Sequence, residues 1–175
     1  MLPILLALAF IAVIFIIAIA GQPDEFVVSR SVKISAPPEN VFPHVNDLHK
    51  WQAWSPWAKL DPNAKNTFEG PTAGVGSSMA WVRNNKVGAG KMTITDSKPV
   101  EVVRFRLDFL KPMKATNTAE FTFRAEGGQT SVNWTMIGQG CLMGKVFGLL
   151  MNCEKMCGDQ FLQGLANLKK VAESR

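Results

Sequence analysis

Between Met79 and Met136 the chain alternates apolar and polar residues in five short runs separated by tight breaks. Met79, Trp81 and Arg83 oppose Ala80 and Val82, and Met92 and Ile94 oppose Lys91, Thr93 and Thr95. Val103, Phe105, Leu107 and Phe109 oppose Arg104, Arg106 and Asp108; Ala119, Phe121 and Phe123 oppose Glu120, Thr122 and Arg124. Val132, Trp134 and Met136 oppose Ser131, Asn133 and Thr135. A period of two puts alternate side chains on opposite faces of a strand. Breaks such as Asn84-Asn85 and Gly127-Gly128 are too short for crossovers, so the strands form an antiparallel meander with one wet face. The other face is rich in aromatic rings and methionine, and something must cover it.

The cover lies at the C-terminus. Helical periodicity predicts a long helix from about residue 143 to 172, with Val146, Leu150, Cys153, Cys157, Phe161, Leu165 and Leu168 in one apolar stripe. Gly158 and Gly164 weaken that helix locally, and Gly164 near the stripe leaves space or permits close approach. Ahead of the meander, Phe26, Val28, Val32 and Ile34 share the apolar phase of a further strand, with Arg30 among them. Val41, Phe42, Val45 and Leu48 then recur at helical spacing, shortened or broken by Pro43. Three of the five tryptophans follow within seven residues, in Trp51-Gln52-Ala53-Trp54-Ser55-Pro56-Trp57. Loop signals at Asp61-Pro62 and Gly70-Pro71 bracket one more short strand, and Gly88-Ala89-Gly90 reads as a turn. The order is one strand, two short helical pieces, about six strands and one long helix.

Residues 1–23 contain no charged side chain, and Ile4 to Ala20 is unbroken Ile, Leu, Ala, Val and Phe. As a helix such a run would reach roughly 27 Å, near the thickness of a bilayer core. A secretory signal cleaved after Ala18-Ile19-Ala20 is the alternative, but no Lys or Arg precedes the run and it exceeds the usual apolar length. The expectation is a retained single-pass anchor over residues 1–22, with the domain on the non-cytoplasmic side. The net charge of +5 is dispersed, and no basic run interleaves with aromatics, which speaks against nucleic acid. Cys141, Cys153 and Cys157 make no disulfide framework, and neither they nor His44 and His49 have zinc spacing.

From Ser29, "SRSVKISAPPENVFPHVNDLHKWQAWSPW" followed by Asp61-Pro62, "GVGSSMAW" from Gly74, "VGAGKMTI" from Val87 and "FLQGLANLKK" from Phe161 resemble one superfamily. It is the START/polyketide-cyclase-like (SRPBCC, helix-grip) superfamily, in its short bacterial form with an N-terminal apolar segment. The resemblance spans residues 24–173. It implies an α+β fold in which a curved antiparallel sheet wraps a long C-terminal helix, with a cavity between them for an apolar or amphipathic small molecule. It does not imply one chemistry, because relatives include carriers, cyclases, hydroxylase domains and co-chaperones. Gln163 stands where such helices often carry an acidic residue.

Placed on that fold, the apolar phase nominates Trp54, Trp57, Met79, Trp81, Met92, Phe105, Phe121, Trp134, Cys157 and Phe161 as ligand-lining residues. Arg30 is the candidate contact for an anionic group, since an inward guanidinium needs a partner. Arg83, beside Asn84-Asn85, reads instead as reaching water along its own stem. No catalytic set, phosphate loop or metal cluster is legible, and Asp47 with His49 reads as a solvated loop. The sequence points to a membrane-anchored binder of a hydrophobic small molecule that needs no cofactor. A cyclase- or hydrolase-type enzyme and a co-chaperone-like protein-binding module are the alternatives.

Overall fold

Seven strands pair in the order β1-β7-β6-β5-β4-β3-β2, every neighbour antiparallel. The computed structural model describes residues 25–61, 64–82, 88–112, 114–139 and 153–174, together with Phe10, Val13, Ile14, Phe15, Ile17, Ala20 and Gly21. The strands are β1 (Glu25–Ile34), β2 (Lys65–Glu69), β3 (Ser78–Val82), β4 (Ala89–Lys98), β5 (Val102–Lys111), β6 (Ala115–Glu126) and β7 (Gln129–Gln139). Helix α1 (Pro38–Asn46) and two short 3₁₀ turns, Lys50–Ala53 and Ala58–Leu60, sit between β1 and β2; helix α2 (Cys153–Glu173) ends the fold. That is the order expected from the periodicity. The first strand closes onto the last, so β1 pairs with β7 from Glu25↔Gln139 to Ile34↔Thr130. Register shifts in the β4–β5 ladder at Ala89/Gly90 and Ile94/Asp96 bend the sheet.

Helix α1 keeps Pro43 inside it as one nine-residue helix, ending where the Asp47 N–H donates to the Pro43 carbonyl at 3.2 Å. Its buried side, Val41, Phe42 and Val45, meets the sheet where Phe42 packs edge-on against Phe123 at 5.5 Å. Helix α2 runs in the same direction as β1. Near its start Glu154 receives Arg30 Nη2 at 2.8 Å, and near its end Lys169 donates to the Lys33 carbonyl at 2.8 Å. Phe161, Leu165 and Leu168 are its buried stripe. Fully burying side chains of this size stabilises by roughly 1.5–3 kcal/mol each.

Arg30 does fall on the inner face, as its phase requires, but the structure supplies its own anion, Glu154, rather than leaving it open. The guanidinium lies directly over Gly158, where a Cβ would overlap it, and a Cβ on Gly164 would press on the Trp134 ring and Pro56. Both helix glycines are therefore clearances for side chains from the sheet and its flanking loop. Gly90 corrects the expected turn: it lies within β4, opposite Trp81, and its bare Cα seats the Trp81 ring. Gly88, just before β4, takes the left-handed backbone conformation at φ +73°.

The expected start of the last helix near residue 143, Arg83, Cys141, and most of the expected span over residues 1–22 lie outside the described residues. Phe10, Val13, Ile14, Phe15, Ile17 and Ala20 are helical. Among the described residues no helix is long and apolar enough to cross a membrane.

Replacing a helix-interior glycine by alanine ordinarily gains about 1 kcal/mol of helix propensity. Here Gly164→Ala is expected to destabilise by about 1–3 kcal/mol, as overpacking does. Gly158→Ala should also lower the melting temperature, and Arg30→Ala combined with it should recover part of the loss. Thermal unfolding of the three variants checks this; a rise in melting temperature for Gly164→Ala would contradict the packing described.

Candidate ligand cavity

Within the sheet the inner face changes character along the strands. At one end Ile34, Val103, Phe121, Phe123 and Val132 pack solidly against α1 and the end of α2. Toward the other end, where β1 begins and α2 starts, β5 opens: Phe105 is fully buried, whereas Leu107 and Phe109 on the same phase are half-buried. The space left there is a cavity of about 240 Å³. Its wall is Trp51, Ser55, Trp57, Met79, Trp81, Met92, Phe105, Leu107, Phe109, Ala119, Trp134, Met136, Cys157 and Phe161.

The aromatic wall is built as a stack. The Trp134 ring lies parallel to Phe161 at 3.9 Å on one side and against Phe121 at 4.7 Å on the other. Trp51, Trp54 and Trp57 meet it edge-on at 6.1, 5.9 and 5.7 Å, in the T-shaped geometry that ring quadrupoles favour. Across the cavity Trp81 meets Phe109 edge-on at 6.0 Å. The indole N–H groups of Trp81 and Trp134 are buried without a hydrogen-bond partner among the described residues, each nitrogen covered by protein.

Three tryptophans so close together in sequence divide between two roles. Trp54 is core: it is 1% exposed, its N–H donates to the His44 carbonyl at 2.8 Å, and Asn167 Nδ2 donates to its carbonyl at 3.1 Å. Trp51 and Trp57 line the cavity. Among the residues nominated from the sequence, Trp57, Met79, Trp81, Met92, Phe105, Trp134, Cys157 and Phe161 come together in the wall. Trp54 and Phe121 do not: both stand one layer behind it, packed on all sides, because Trp134 lies between Phe121 and the helix. Arg30 is also outside the wall, held by Glu154. Sequence reasoning missed Trp51, Ser55, Leu107, Phe109, Ala119 and Met136. The last four share the nominated phase of β5, β6 and β7, so extending the alternation to each strand's end would have found them.

Ser55 and the Cys157 thiol are the wall's small polar side chains, and among the described residues no carboxylate, imidazole, lysine or arginine belongs to it. The groups that do carry perturbed pKa values sit elsewhere. His44 is lowered by burial and then by Lys50, beside a shallow surface groove along α1. Asp108 is lowered first by its hydrogen bond from Thr116 and then by Arg106, on the outer face. Asp47 accepts from the His49 backbone N–H at 2.9 Å while the His49 ring stacks on Phe68 at 4.1 Å, a loop fastening remote from the cavity. Among the described residues no cluster of His, Cys, Asp or Glu could hold a metal.

A curved antiparallel sheet gripping a C-terminal helix, with an apolar cavity between them, defines the helix-grip class. The sequence-family model described as polyketide cyclase/dehydrase and lipid transport matches residues 25–173, and the chain belongs to that family. Protein CV1439 from Chromobacterium violaceum has a similar fold at 16% identity, with a TM-score of 0.61 over 88% of this chain and 100% of that one. The Aha1 dimer from Colwellia psychrerythraea is similar at 18% identity, with a TM-score of 0.61 over 85% and 97% of the two chains. CalU16 from Micromonospora echinospora is similar at 11% identity, with a TM-score of 0.55 over 87% and 88%. At such identities the likeness concerns the fold. No curated protein sequence matches this chain.

Phe121→Ala is expected to cost about 3–5 kcal/mol, the toll of truncating a packed aromatic. Leu107→Ala, at the half-buried margin of the cavity, should cost less than about 2 kcal/mol, because part of its surface already faces a void. Chemical denaturation compares the two; equal losses would mean the space beside Leu107 is filled.

Proposed function

We propose that this protein holds a small apolar or amphipathic molecule in the cavity between sheet and helix α2, without catalysing its conversion. The observation that carries this is the composition of the wall, which among the described residues offers rings, thioethers and aliphatic surface but no positioned acid–base pair. At about 240 Å³ the cavity falls just below the roughly 300–1,000 Å³ of drug-sized ligand sites, so it suits a compact ring system or one short chain better than a two-chain lipid. The family's description, which spans cyclases and lipid transport, is compatible with such a ligand. Met79, Met92 and Met136 give the wall adaptable surfaces.

The test uses N-phenyl-1-naphthylamine, an apolar dye that accepts energy from tryptophan. The full-length protein in detergent micelles should bind it with saturable energy transfer from Trp51, Trp57, Trp81 and Trp134. Ala119→Leu, which projects a larger side chain into the cavity from β6, should weaken binding by about tenfold while costing no more than about 1–3 kcal/mol of stability. Unaltered dye affinity in a folded Ala119→Leu protein would place the dye elsewhere and defeat the proposal.

We also propose that residues 1–22 anchor the domain as one span, with the domain outside the cytoplasm. Their charge-free composition and length support this. The intact mass of the membrane-fraction protein should include those residues, and protease added to intact cells should digest the domain. A mature chain beginning at Gly21 would defeat the anchor, and protection until lysis would reverse the orientation.

A further inference from the structure

The strand registers fix which end of the domain holds the cavity. The row Phe26–Gly138–Asn117–Leu107–Met92–Met79 crosses the sheet through the cavity wall. Further toward the same end lie Glu25↔Gln139, Phe109↔Ala115 and the terminal row Lys65–Val82–Ala89–Lys111. Helix α2 also begins there, since Glu154 meets Arg30 whereas Glu173 accepts from the Ser35 N–H at the far end. The chain arriving from residues 1–24 therefore joins the sheet at the end that holds the cavity.

That end has a composition of its own. Val82 is 66% exposed, Leu110 55%, Met156 55% and Phe26 39%. Exposed Lys65, Lys111 and Lys114 lie among them, without an ion pair among the described residues. The carboxylates of Glu154 and Asp108 are already engaged by Arg30 and Arg106; among the described residues Glu25, at the chain's arrival, and Asp61, just before β2, are further acids toward that end. Apolar side chains interspersed with lysines suit the boundary between acyl chains and anionic headgroups. The arriving segment points the same way: its described residues Phe10, Val13, Ile14, Phe15 and Ile17 are helical, apolar and between 43% and 67% exposed, so they are not packed into the domain.

We infer that the cavity-bearing end of the domain rests on an anionic bilayer surface and that the cavity exchanges its ligand directly with the lipid phase. This rests on the proposals that the cavity binds a small apolar molecule and that residues 1–22 lie in the membrane. An apolar ligand would then move between two apolar media without crossing water, which removes the hydrophobic penalty from its transfer path. The rim residues Val82, Leu110, Lys65, Lys111 and Lys114 do the docking; none of them belongs to the cavity wall.

Amide hydrogen exchange on the full-length protein in vesicles containing about one-third phosphatidylglycerol, compared with uncharged micelles, locates the contact. Exchange at Val82 and over residues 110–114 should slow by about tenfold on the vesicles, while residues 99–101 and 126–128 at the far end stay unchanged. Raising salt should weaken the protection, because the lysine contribution is screened. The triple variant Lys65→Glu, Lys111→Glu, Lys114→Glu should lose it, and should take up N-phenyl-1-naphthylamine from vesicles several-fold more slowly, with unchanged affinity in micelles. Equal exchange at the two ends on vesicles, with dye binding intact, overturns the inference and leaves the cavity proposal standing. Protection that rises with protein concentration and not with lipid assigns the rim to a second copy of the chain and also overturns it. Absence of dye binding in every medium defeats the cavity proposal, and with it ligand exchange, whatever the exchange pattern says of docking.

Discussion

The parallel contact of Trp134 with Phe161, 3.9 Å between ring centroids and 4° between planes, is where the sheet and its helix are joined. Trp134 comes from the middle of β7, and Phe161 from the buried stripe of α2. A face-to-face approach this close requires the helix backbone to come down on the sheet, and Gly164, one turn on, permits it by having no Cβ to strike the Trp134 ring. Once the helix is set at that height its two ends meet different conditions. Toward its C-terminus Leu165 and Leu168 reach the solid layer under α1. Toward its N-terminus Cys157 is only half-buried, and the sheet below falls away into the cavity.

Arg30 controls that open half from the other edge. It stands on β1 directly opposite Trp134 and passes over Gly158 to reach Glu154. With side-chain exposures of 24% for Arg30 and 56% for Glu154, the pair is too wet for much Coulombic stabilisation. Its contribution is geometric: the guanidinium occupies the interval between β1 and α2 over Gly158. A residue that looks by phase like a ligand contact thus serves as a spacer beside the ligand's space.

Much of this was legible before any coordinates. Alternation identified the strands from β3 to β7 because each buries one face only, and a period of two is then hard to mistake. The helical stripe through Phe161, Leu165 and Leu168 was equally plain. What alternation cannot reveal is depth. Phe121 and Phe105 share a phase and neighbouring strands, yet Phe105 meets the void and Phe121 is covered by Trp134, since only a stacking partner from β7 decides the difference. Trp51 and Trp54 also look equivalent; the hydrogen bond from Trp54 to the His44 carbonyl turns one indole into core and leaves the other on the wall. Gly90 and Arg30 likewise have partners that alternation cannot show. Their roles are set by Trp81 and Glu154, which lie respectively on an adjacent strand and across the sheet–helix interface.

The cavity follows from an imbalance of volume rather than from any designed pore. In the closed half, large side chains from both layers face each other: Phe121 and Trp134 from the sheet, Trp51 and Trp54 from the turn, Phe161 and Leu165 from the helix. In the open half, Ala119 on β6 and Ser55 in the turn occupy positions where the same pattern would need bulk. Interiors close-pack when side chains suffice to do so, and a void persists where small residues coincide and the backbone is held apart. Here the Trp134–Phe161 stack fixes the height of the helix over the sheet, and the small residues beside it leave the remaining space. Met79, Met92 and Met136 border the remaining space, and their unbranched thioethers can shift between rotamers to meet ligands of different outline. A rigid aromatic floor with pliable methionine walls favours recognition by size and apolarity over recognition by a fixed polar pattern.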